Sequence, residues 1–129
     1  MPAIIGEPQM KKEIRLKRVY ETKGDDGFRV LIDRLWPRGL TKEKVAADLW
    51  LKEIAPSAAL RKWFGHEVSK WPDFKIKYLA ELKNNASAVK TLAEHLKHKR
   101  VTLLYAAKDE EHNDAVVIKD YMLSKFAYW

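Results

Sequence analysis

The 129-residue sequence contains no cysteine and no long hydrophobic run. Without cysteine the chain has no disulfide, no thiolate nucleophile and no cysteine zinc site, so a cytoplasmic location is the simplest expectation. No apolar run approaches the roughly 20 residues that cross a bilayer, and we therefore expect no membrane partner. The N-terminal segment MPAIIGEPQMKKE has no positively charged lead-in, and Glu7 and Pro8 interrupt its apolar patch, which argues against a signal peptide.

Common catalytic and metal-binding signatures are also missing. The sequence has no GxxxxGK[ST], GxGxxG or GxSxG, the patterns typical of phosphate loops, dinucleotide sites and serine hydrolases. The acidic run "DEEHND" (109–114) contains a histidine, but no second histidine follows three or four residues later. We therefore expect no metal and no cofactor.

The charge is strongly positive. Lysine and arginine number 25 against 18 acidic residues, which gives a formal charge of +7. This charge favours acidic partners, although the lysines are spread along the chain and also fit a solvated basic surface. Two functional classes follow: a site for a small anion, and a nucleic-acid-binding or regulatory module without catalysis. A structural domain that binds a protein partner is a third alternative, and the sequence does not indicate an oligomeric state.

Hydrophobic periodicity predicts one small α/β domain over residues 13–129, preceded by a flexible arm over residues 1–12. Strands are predicted near 14–20, 28–35 and 100–106. The unbroken apolar run Val30–Ile32 is typical of a strand that is covered on both faces. Because helical segments separate the strands, we expect a mostly parallel sheet flanked by four or five helices.

Capping residues indicate where several helices begin and end. Thr41 caps a short helix over 41–47, and the segment 48–56 is predicted to be a short strand or an extended segment that ends at Pro56. Ser57 caps a helix that stops at Gly65. The remaining helices are predicted from near Pro72, after the "NNAS" break at 84–87, and after "KDEEHND" (108–114).

The same periodicity assigns side chains to faces. The last helix is predicted to place one stripe inward: Ala115, Val116, Lys119, Met122, Leu123 and Phe126. Three tryptophans lie on apolar patterns and are predicted to be core residues: Trp50, Trp63 and Trp71. Trp36 and the C-terminal Tyr128–Trp129 are predicted to be exposed.

The strands at 28–35 and 101–107 share one plan, an apolar run followed by an abrupt polar cluster and then a helix. In open α/β sheets, ligands bind outside the carboxyl ends of the strands. If these strands are parallel neighbours, their polar clusters form one crevice. Its predicted residues are Asp33, Arg34, Trp36, Arg38, Tyr105, Lys108, Asp109, His112 and Asn113.

The chemistry of this crevice suits an anion such as a nucleotide, a phosphate ester or a carboxylate. Arg34, Arg38 and Lys108 would bind the charge, since a guanidinium matches phosphate or carboxylate with paired donors. Acid–base candidates are Asp33, Asp109 and His112. Trp36, Tyr105 and Asn113 would complete the ligand-binding set, with the first amides of the last helix.

Structural roles compete with each of these assignments. Asp33 can pair with an arginine while Trp36–Pro37 closes the edge of the core. His112 can serve as a helix cap. His66, just past the helix-ending Gly65, is a further site candidate, but a histidine there ordinarily binds the free carbonyls of the helix end. His95 and His98 flank a lysine on a solvated helix end and look inert.

Three blocks of sequence resemble a known bacterial family. They are "KRVYE…DGFRVLIDRLWPRGLTKE", "WLKEIAPSAALRKWFGH" and "VTLLYAAKDEEHNDAVV". Together, over about Arg15–Leu123, they are similar to the YeaO-like branch of the family called domain of unknown function 488. The resemblance implies a small cytoplasmic α/β domain with no established reaction. Wider relatives have Asp-x-Arg after the early strand and Cys-His-Arg after the late one, where this chain has Asp33–Arg34 and His112–Asn113. The missing cysteine argues against thiol chemistry, so the resemblance supports the crevice and leaves open its substrate and whether it is catalytic.

Overall fold

A four-stranded, entirely parallel β-sheet forms the centre of the molecule. The computed structural model describes residues 13–126, so the predicted arm 1–12 and the pair Tyr128–Trp129 lie outside the described residues. The strands are β1 (Glu13–Arg18), β2 (Phe28–Leu31), β3 (Leu49–Trp50) and β4 (Arg100–Tyr105). Their order in the sheet is β1-β4-β2-β3. The predicted α/β class is confirmed.

Helices occupy most of the connections between strands. They are α1 (Lys42–Val45), α2 (Ala58–Phe64), α3 (Trp71–Lys83), α4 (Ala86–His95) and α5 (Asp114–Lys125), with 3-10 turns at Lys52–Ile54 and Val68–Lys70. The ends of α2 lie where its sequence predicts, because the Ser57 hydroxyl accepts a hydrogen bond from the Leu60 amide and Gly65 adopts a left-handed conformation. Within the described residues, no helix is both long and apolar enough to span a bilayer.

The main core lies on one face of the sheet. Alternate residues of the central strands, such as Val30 and Ile32 on the β2 side and Leu103 on β4, pack there with buried residues of α2, α3, α4 and α5. Alternation follows from strand geometry, in which successive side chains point to opposite faces. Four helices therefore share this face.

The other face has a smaller cover. Leu31 and Leu104 pack there with Val45 of α1. The buried Arg29 side chain ties α1 to the sheet by donating to the carbonyls of Val45 (2.7 Å) and Ala46 (2.9 Å). Both faces of β4 are thus covered, as the apolar runs predict.

Strand β2 is shorter than the predicted 28–35. The Ile32 amide still donates to the Leu104 carbonyl (3.1 Å), but the next donor on that side, the Ala106 amide, is taken by the Asp33 carboxylate (2.8 Å). Beyond Ile32, a carboxylate oxygen therefore takes the place of the backbone carbonyl that would continue the pairing of β2 with β4. The turn after β2 begins earlier than hydrophobicity indicates.

Two assignments of side chains to faces were wrong. In α5 the buried residues are Ala115, Val117, Ile118, Tyr121 and Met122, whereas Val116 is half-buried and Leu123 is exposed. Trp50 and Trp63 are 36% and 37% exposed, respectively. Trp50 lies on the edge strand β3, which has only one neighbouring strand, and Trp63 lies beside the buried Leu60–Phe64 stripe of α2. Trp71 packs partly buried against the core, as predicted.

Candidate functional site

A cavity of about 720 Å³ opens at the carboxyl edge of the sheet. The loops after β1, β2 and β4 meet there, because parallel strands all end at the same edge. Eight of the nine crevice residues predicted from the sequence line this cavity: Asp33, Arg34, Trp36, Arg38, Lys108, Asp109, His112 and Asn113. The structure therefore contains the crevice that the two strand ends predict.

Two carboxyl groups, those of Asp33 and Asp114, meet at the inner end of the cavity. Burial raises the pKa of Asp33, against the opposing effect of the Ala106 amide that donates to it. Burial together with the charge of Asp33 raises the pKa of Asp114 well above its usual range. The two side chains are hydrogen-bonded to each other, and two adjacent buried carboxyls do not both ionise readily. Of the two, Asp114 therefore holds its proton more strongly than Asp33.

Asp109 and His112 form a second acid–base pair on the cavity wall. The Asp109 carboxylate accepts from the amides of Glu111 (2.9 Å) and His112 (3.1 Å), and its second oxygen lies 2.8 Å from His112 Nδ1. These contacts, led by the Glu111 amide, lower the pKa of Asp109. The edge of the imidazole packs on Trp71 at a ring separation of 5.3 Å. Held at Nδ1, the ring keeps Nε2 as its second hydrogen-bonding nitrogen.

Asn113 has a structural task beside its place on the wall. Its side-chain oxygen accepts from the Val116 amide (3.2 Å), which caps α5. Its amide nitrogen donates to the Asp109 carbonyl (2.9 Å). Asn113 thus fixes the start of α5 relative to the loop that carries Asp109 and His112.

Four permanent cations line the same cavity: Arg34, Arg38, Arg61 and Lys108. Among residues 13–126, none of them lies within 4.0 Å of a carboxylate oxygen. Three carboxyl groups, those of Asp33, Asp109 and Asp114, line the same cavity, so the cations outnumber them. The cavity therefore carries net positive charge.

Arg34 is the innermost of the cations that the sequence singled out. Its Nη2 donates to the carbonyls of Ala55 (3.1 Å) and Pro56 (3.4 Å), which hold the guanidinium in place. Its Nε is buried and has no hydrogen-bond partner among the described residues. A buried N–H without a partner costs roughly 1–3 kcal/mol, so a bound acceptor would recover that free energy.

The remaining wall is largely apolar. Leu35, Trp36, Phe64 and Phe74 contribute most of this surface. Apolar walls with a few converging charged groups are typical of small-molecule sites. The arrangement suits a ligand that has both an anionic group and an apolar or planar part.

Tyr105 is the one predicted site residue that does not line the cavity. Its side chain is 3% exposed and belongs to the main core with Val101 and Leu103, the alternate residues of β4. Its place on that face follows from strand alternation. Tyr105 is the last residue of β4 and so lies at the cavity end of the strand, but its ring packs on the face that the helices cover.

Two charged cavity residues, Arg61 and Asp114, were not among the predicted residues, and His66 was considered only as a further candidate. Arg61 is an exposed residue of α2, and nothing in its local sequence indicates a site. His66 comes directly after the helix-ending Gly65, where a capping role is the ordinary assignment. Asp114 has the sequence signature of a common acidic residue in the first turn of a helix. Its contact with Asp33 depends on tertiary structure, so no local pattern reveals it.

Metal binding has little support among residues 13–126. No group of three or more histidine and carboxylate side chains there has the arrangement that holds a metal ion. The acid–base groups of the cavity can exchange protons, and its cations can hold an anion. These two properties define what the site can do chemically.

Comparison with known proteins identifies relatives over nearly the whole chain. The DUF488-N3i family model, described as the inactive DUF488-N3 subclade, matches residues 13–128. The uncharacterized protein YeaO of Escherichia coli (strain K12) is 46% identical over 112 residues, which cover 86% of this chain and 97% of that protein. The uncharacterized protein Rv3073c of Mycobacterium tuberculosis (strain ATCC 25618 / H37Rv) is 41% identical over 75 residues, or 57% of this chain and 64% of its own. No solved structure matches the chain.

Proposed function

The chain belongs to the YeaO-like DUF488 family, in the inactive DUF488-N3 subclade, and on this premise we propose that it binds a small anionic ligand without transforming it. The ligand class is a nucleotide, a phosphate ester or a small carboxylate. Its anionic group would lie among Arg34, Arg38 and Lys108. A cytoplasmic location is part of the proposal, because the chain has no cysteine.

The observation that carries the proposal is the buried Arg34 Nε, which has no partner among the described residues. The guanidinium around it is fixed by two backbone carbonyls, so Nε cannot turn to solvent without breaking those bonds. Arg38, Arg61 and Lys108 line the same cavity and form no ion pair within residues 13–126. An anion in the cavity would pair with these three cations and lie beside the Arg34 guanidinium.

The residues of the cavity agree with a site that binds a ligand without catalysis. Asp109 and His112 resemble the orienting acid and the base of a nucleophilic site. The chain has no cysteine to act as the nucleophile that such a pair activates. The description of the subclade as inactive supports the same reading. In a binding site, the Nε2 atom of His112 would form a hydrogen bond with the ligand.

A thermal-shift screen of nucleotides, phosphate esters and small carboxylates tests this proposal on the wild type and on Arg38→Ala. A ligand at 100 times its dissociation constant stabilises the folded state by about 2.7 kcal/mol, which moves the unfolding midpoint by several degrees. Arg38 is exposed, so its truncation should change the free energy of unfolding by less than about 0.5 kcal/mol. We expect Arg38→Ala to melt near the wild type and to respond less to the ligand.

Lys90→Ala is the matched control, because Lys90 is an exposed cation on α4 outside the cavity lining. It should respond to the ligand as the wild type does. The proposal fails if no anion of these three classes shifts the wild type, or if both variants lose the response equally. A loss of more than about 2 kcal/mol in Arg38→Ala without ligand would assign that residue a structural role instead.

A further inference from the structure

Three exposed aromatic side chains lie in or next to the cavity: Tyr20, Trp36 and Trp50. We call them the aromatic rim. Tyr20 is 43% exposed, and each tryptophan is 36% exposed. Tyr20 and Trp36 line the cavity, and Trp50 packs edge-on against Trp36 at a ring separation of 5.4 Å. The rim therefore extends the cavity onto the surface.

The polar atom of each rim side chain is bonded to the backbone of one segment, residues 33–40. Tyr20 Oη donates to the Arg38 carbonyl (3.0 Å). Trp36 Nε1 donates to the Leu40 carbonyl and Trp50 Nε1 to the Asp33 carbonyl, both at 2.7 Å. With their polar atoms occupied, the rings are held in fixed orientations and present hydrocarbon surface outward. Aromatic side chains that only fill a core would be buried, whereas these are ordered and exposed.

Cations accompany the rings. The guanidinium of Arg18 lies 5.2 Å from the centre of the Tyr20 ring, and the ammonium of Lys52 lies 4.9 Å from that of Trp50. Arg38 and Lys108 follow on the cavity wall. Positive charge thus lies beside two of the three rim rings and on the cavity wall.

We propose that the aromatic rim and the cavity together bind single-stranded nucleic acid. Bases would stack on the rim while the backbone phosphates meet the cations, and one nucleotide would enter the cavity with its phosphate toward Arg34. This inference rests on the proposed function and names a larger ligand for the same site. Base stacking on aromatic side chains beside a positively charged path is how non-specific single-strand sites work.

The rim favours a nucleic acid over an acidic peptide. Carboxylates of a peptide would engage the cations but leave the fixed rings of Trp36 and Trp50 without partners. A duplex hides the faces of its bases, so it would also leave the rings unused. A single strand, whether DNA or RNA, offers phosphates and open base faces at once.

Fluorescence anisotropy with a labelled single-stranded oligonucleotide of about 12 nucleotides tests the inference. Removing one stacking ring costs roughly 1–3 kcal/mol, so Trp50→Ala should weaken binding by about 5- to 160-fold. Trp63→Ala is the matched control: Trp63 is 37% exposed and lies 5.0 Å and 5.1 Å from the ammonium groups of Lys70 and Lys77, but it is outside the rim and the cavity. Its removal should leave affinity unchanged.

Trp50→Phe guards against a folding defect, because it keeps a ring while losing the bond to the Asp33 carbonyl. We expect its affinity to lie between those of the wild type and Trp50→Ala, with a melting midpoint checked for each protein. The logarithm of the association constant should fall linearly with the logarithm of salt concentration, with a slope of about −0.7 for each phosphate contacted.

Three results would overturn the inference. They are an oligonucleotide affinity no higher than that of adenosine monophosphate, an equal loss in Trp50→Ala and Trp63→Ala, and displacement of the oligonucleotide by a polyglutamate peptide as effective as by unlabelled strand. If adenosine monophosphate still stabilises the wild type in these cases, the small-anion site stands without the nucleic acid. If neither probe binds, the proposed function fails as well.

Discussion

Asp114 determines the charge balance of the cavity. It is the first residue of α5 and lies in hydrogen-bonding contact with Asp33. Burial and the neighbouring carboxylate raise the pKa of Asp114, so it keeps its proton to a higher pH than an ordinary aspartate does. If it were ionised, three carboxylates would face the four cations of the cavity, and an anion would be held less well. Under the proposed function, the proton on Asp114 would favour anion binding although Asp114 need not touch the ligand.

We predict that Asp114→Asn becomes more stable relative to the wild type as the pH rises. The fold raises the pKa of Asp114 above its ordinary value of 3.8, so the folded state keeps a proton that the unfolded chain releases. The stability due to this proton is complete below the pKa of the unfolded chain and is lost as the pH rises through the folded pKa. Asparagine is neutral at every pH and can donate to Asp33.

Urea unfolding at pH 5, 7 and 9 measures this difference. At pH 5 the two proteins should agree within about 1 kcal/mol, because the side chains have similar shape and both are neutral. A difference between variant and wild type that stays constant with pH would contradict the protonation of Asp114. Asp73→Asn is the control, since Asp73 is exposed in the first turn of α3.

The sequence identifies most of the individual residues that line the cavity, but not the contact between Asp33 and Asp114. Asp33, Arg34 and Lys108 were predicted because polar residues that follow buried parallel strands meet at one edge of the sheet. Asp114 carries no such local signal. Its high pKa arises from burial against Asp33, 81 positions earlier in the chain, and burial of that kind is decided only when the whole fold forms.

At the scale of elements, capping chemistry is local and therefore readable. Ser57 and Gly65 bound α2 as predicted, since one supplies a side-chain acceptor and the other tolerates a positive φ of 53°. The buried face of α5 could not be read in this way. Val116, Val117 and Ile118 are consecutive and apolar, so their periodicity does not distinguish the side that faces the core. The sheet and the neighbouring helices make that choice.

Gly27 controls how closely β2 can approach β4. Its φ is +66°, and a Cβ there would lie directly against the carbonyl oxygen of Arg100, the first residue of β4. Gly39 has a φ of +82° but open space around its Cβ position. Both glycines thus have a positive φ, and they differ in the space available for a Cβ atom.

We predict that Gly27→Ala destabilises the fold more than Gly39→Ala does. The left-handed conformation costs alanine roughly 1 kcal/mol at both positions, and overpacking adds about 1–3 kcal/mol at Gly27. Chemical denaturation of both variants measures the difference. Equal losses would show that the start of β2 yields to the added methyl group, which contradicts the tight approach of the two strands.

At the scale of the whole molecule, the parallel sheet explains why the site lies where it does. All four strands end at the same edge, and four helices on one face leave the loops after β1, β2 and β4 to form the cavity. The alternation of apolar strand segments with helical segments along the sequence is enough to predict this architecture. Strand β3 and the exposure of Trp50 were harder to predict, because a two-residue edge strand has almost no periodicity.

Anion binding in the cavity is tested most directly by the ¹⁵N NMR signal of the Arg34 Nε–H during titration with inorganic phosphate. This N–H is buried and has no partner among residues 13–126, so a bound anion is the acceptor that should move its resonance. We expect saturable shifts of Arg34 Nε–H together with the backbone amides of the cavity loops, and much smaller shifts in Arg38→Ala. An unmoved Arg34 resonance, with shifts scattered over the lysine-rich helices, would contradict an anion site in this cavity.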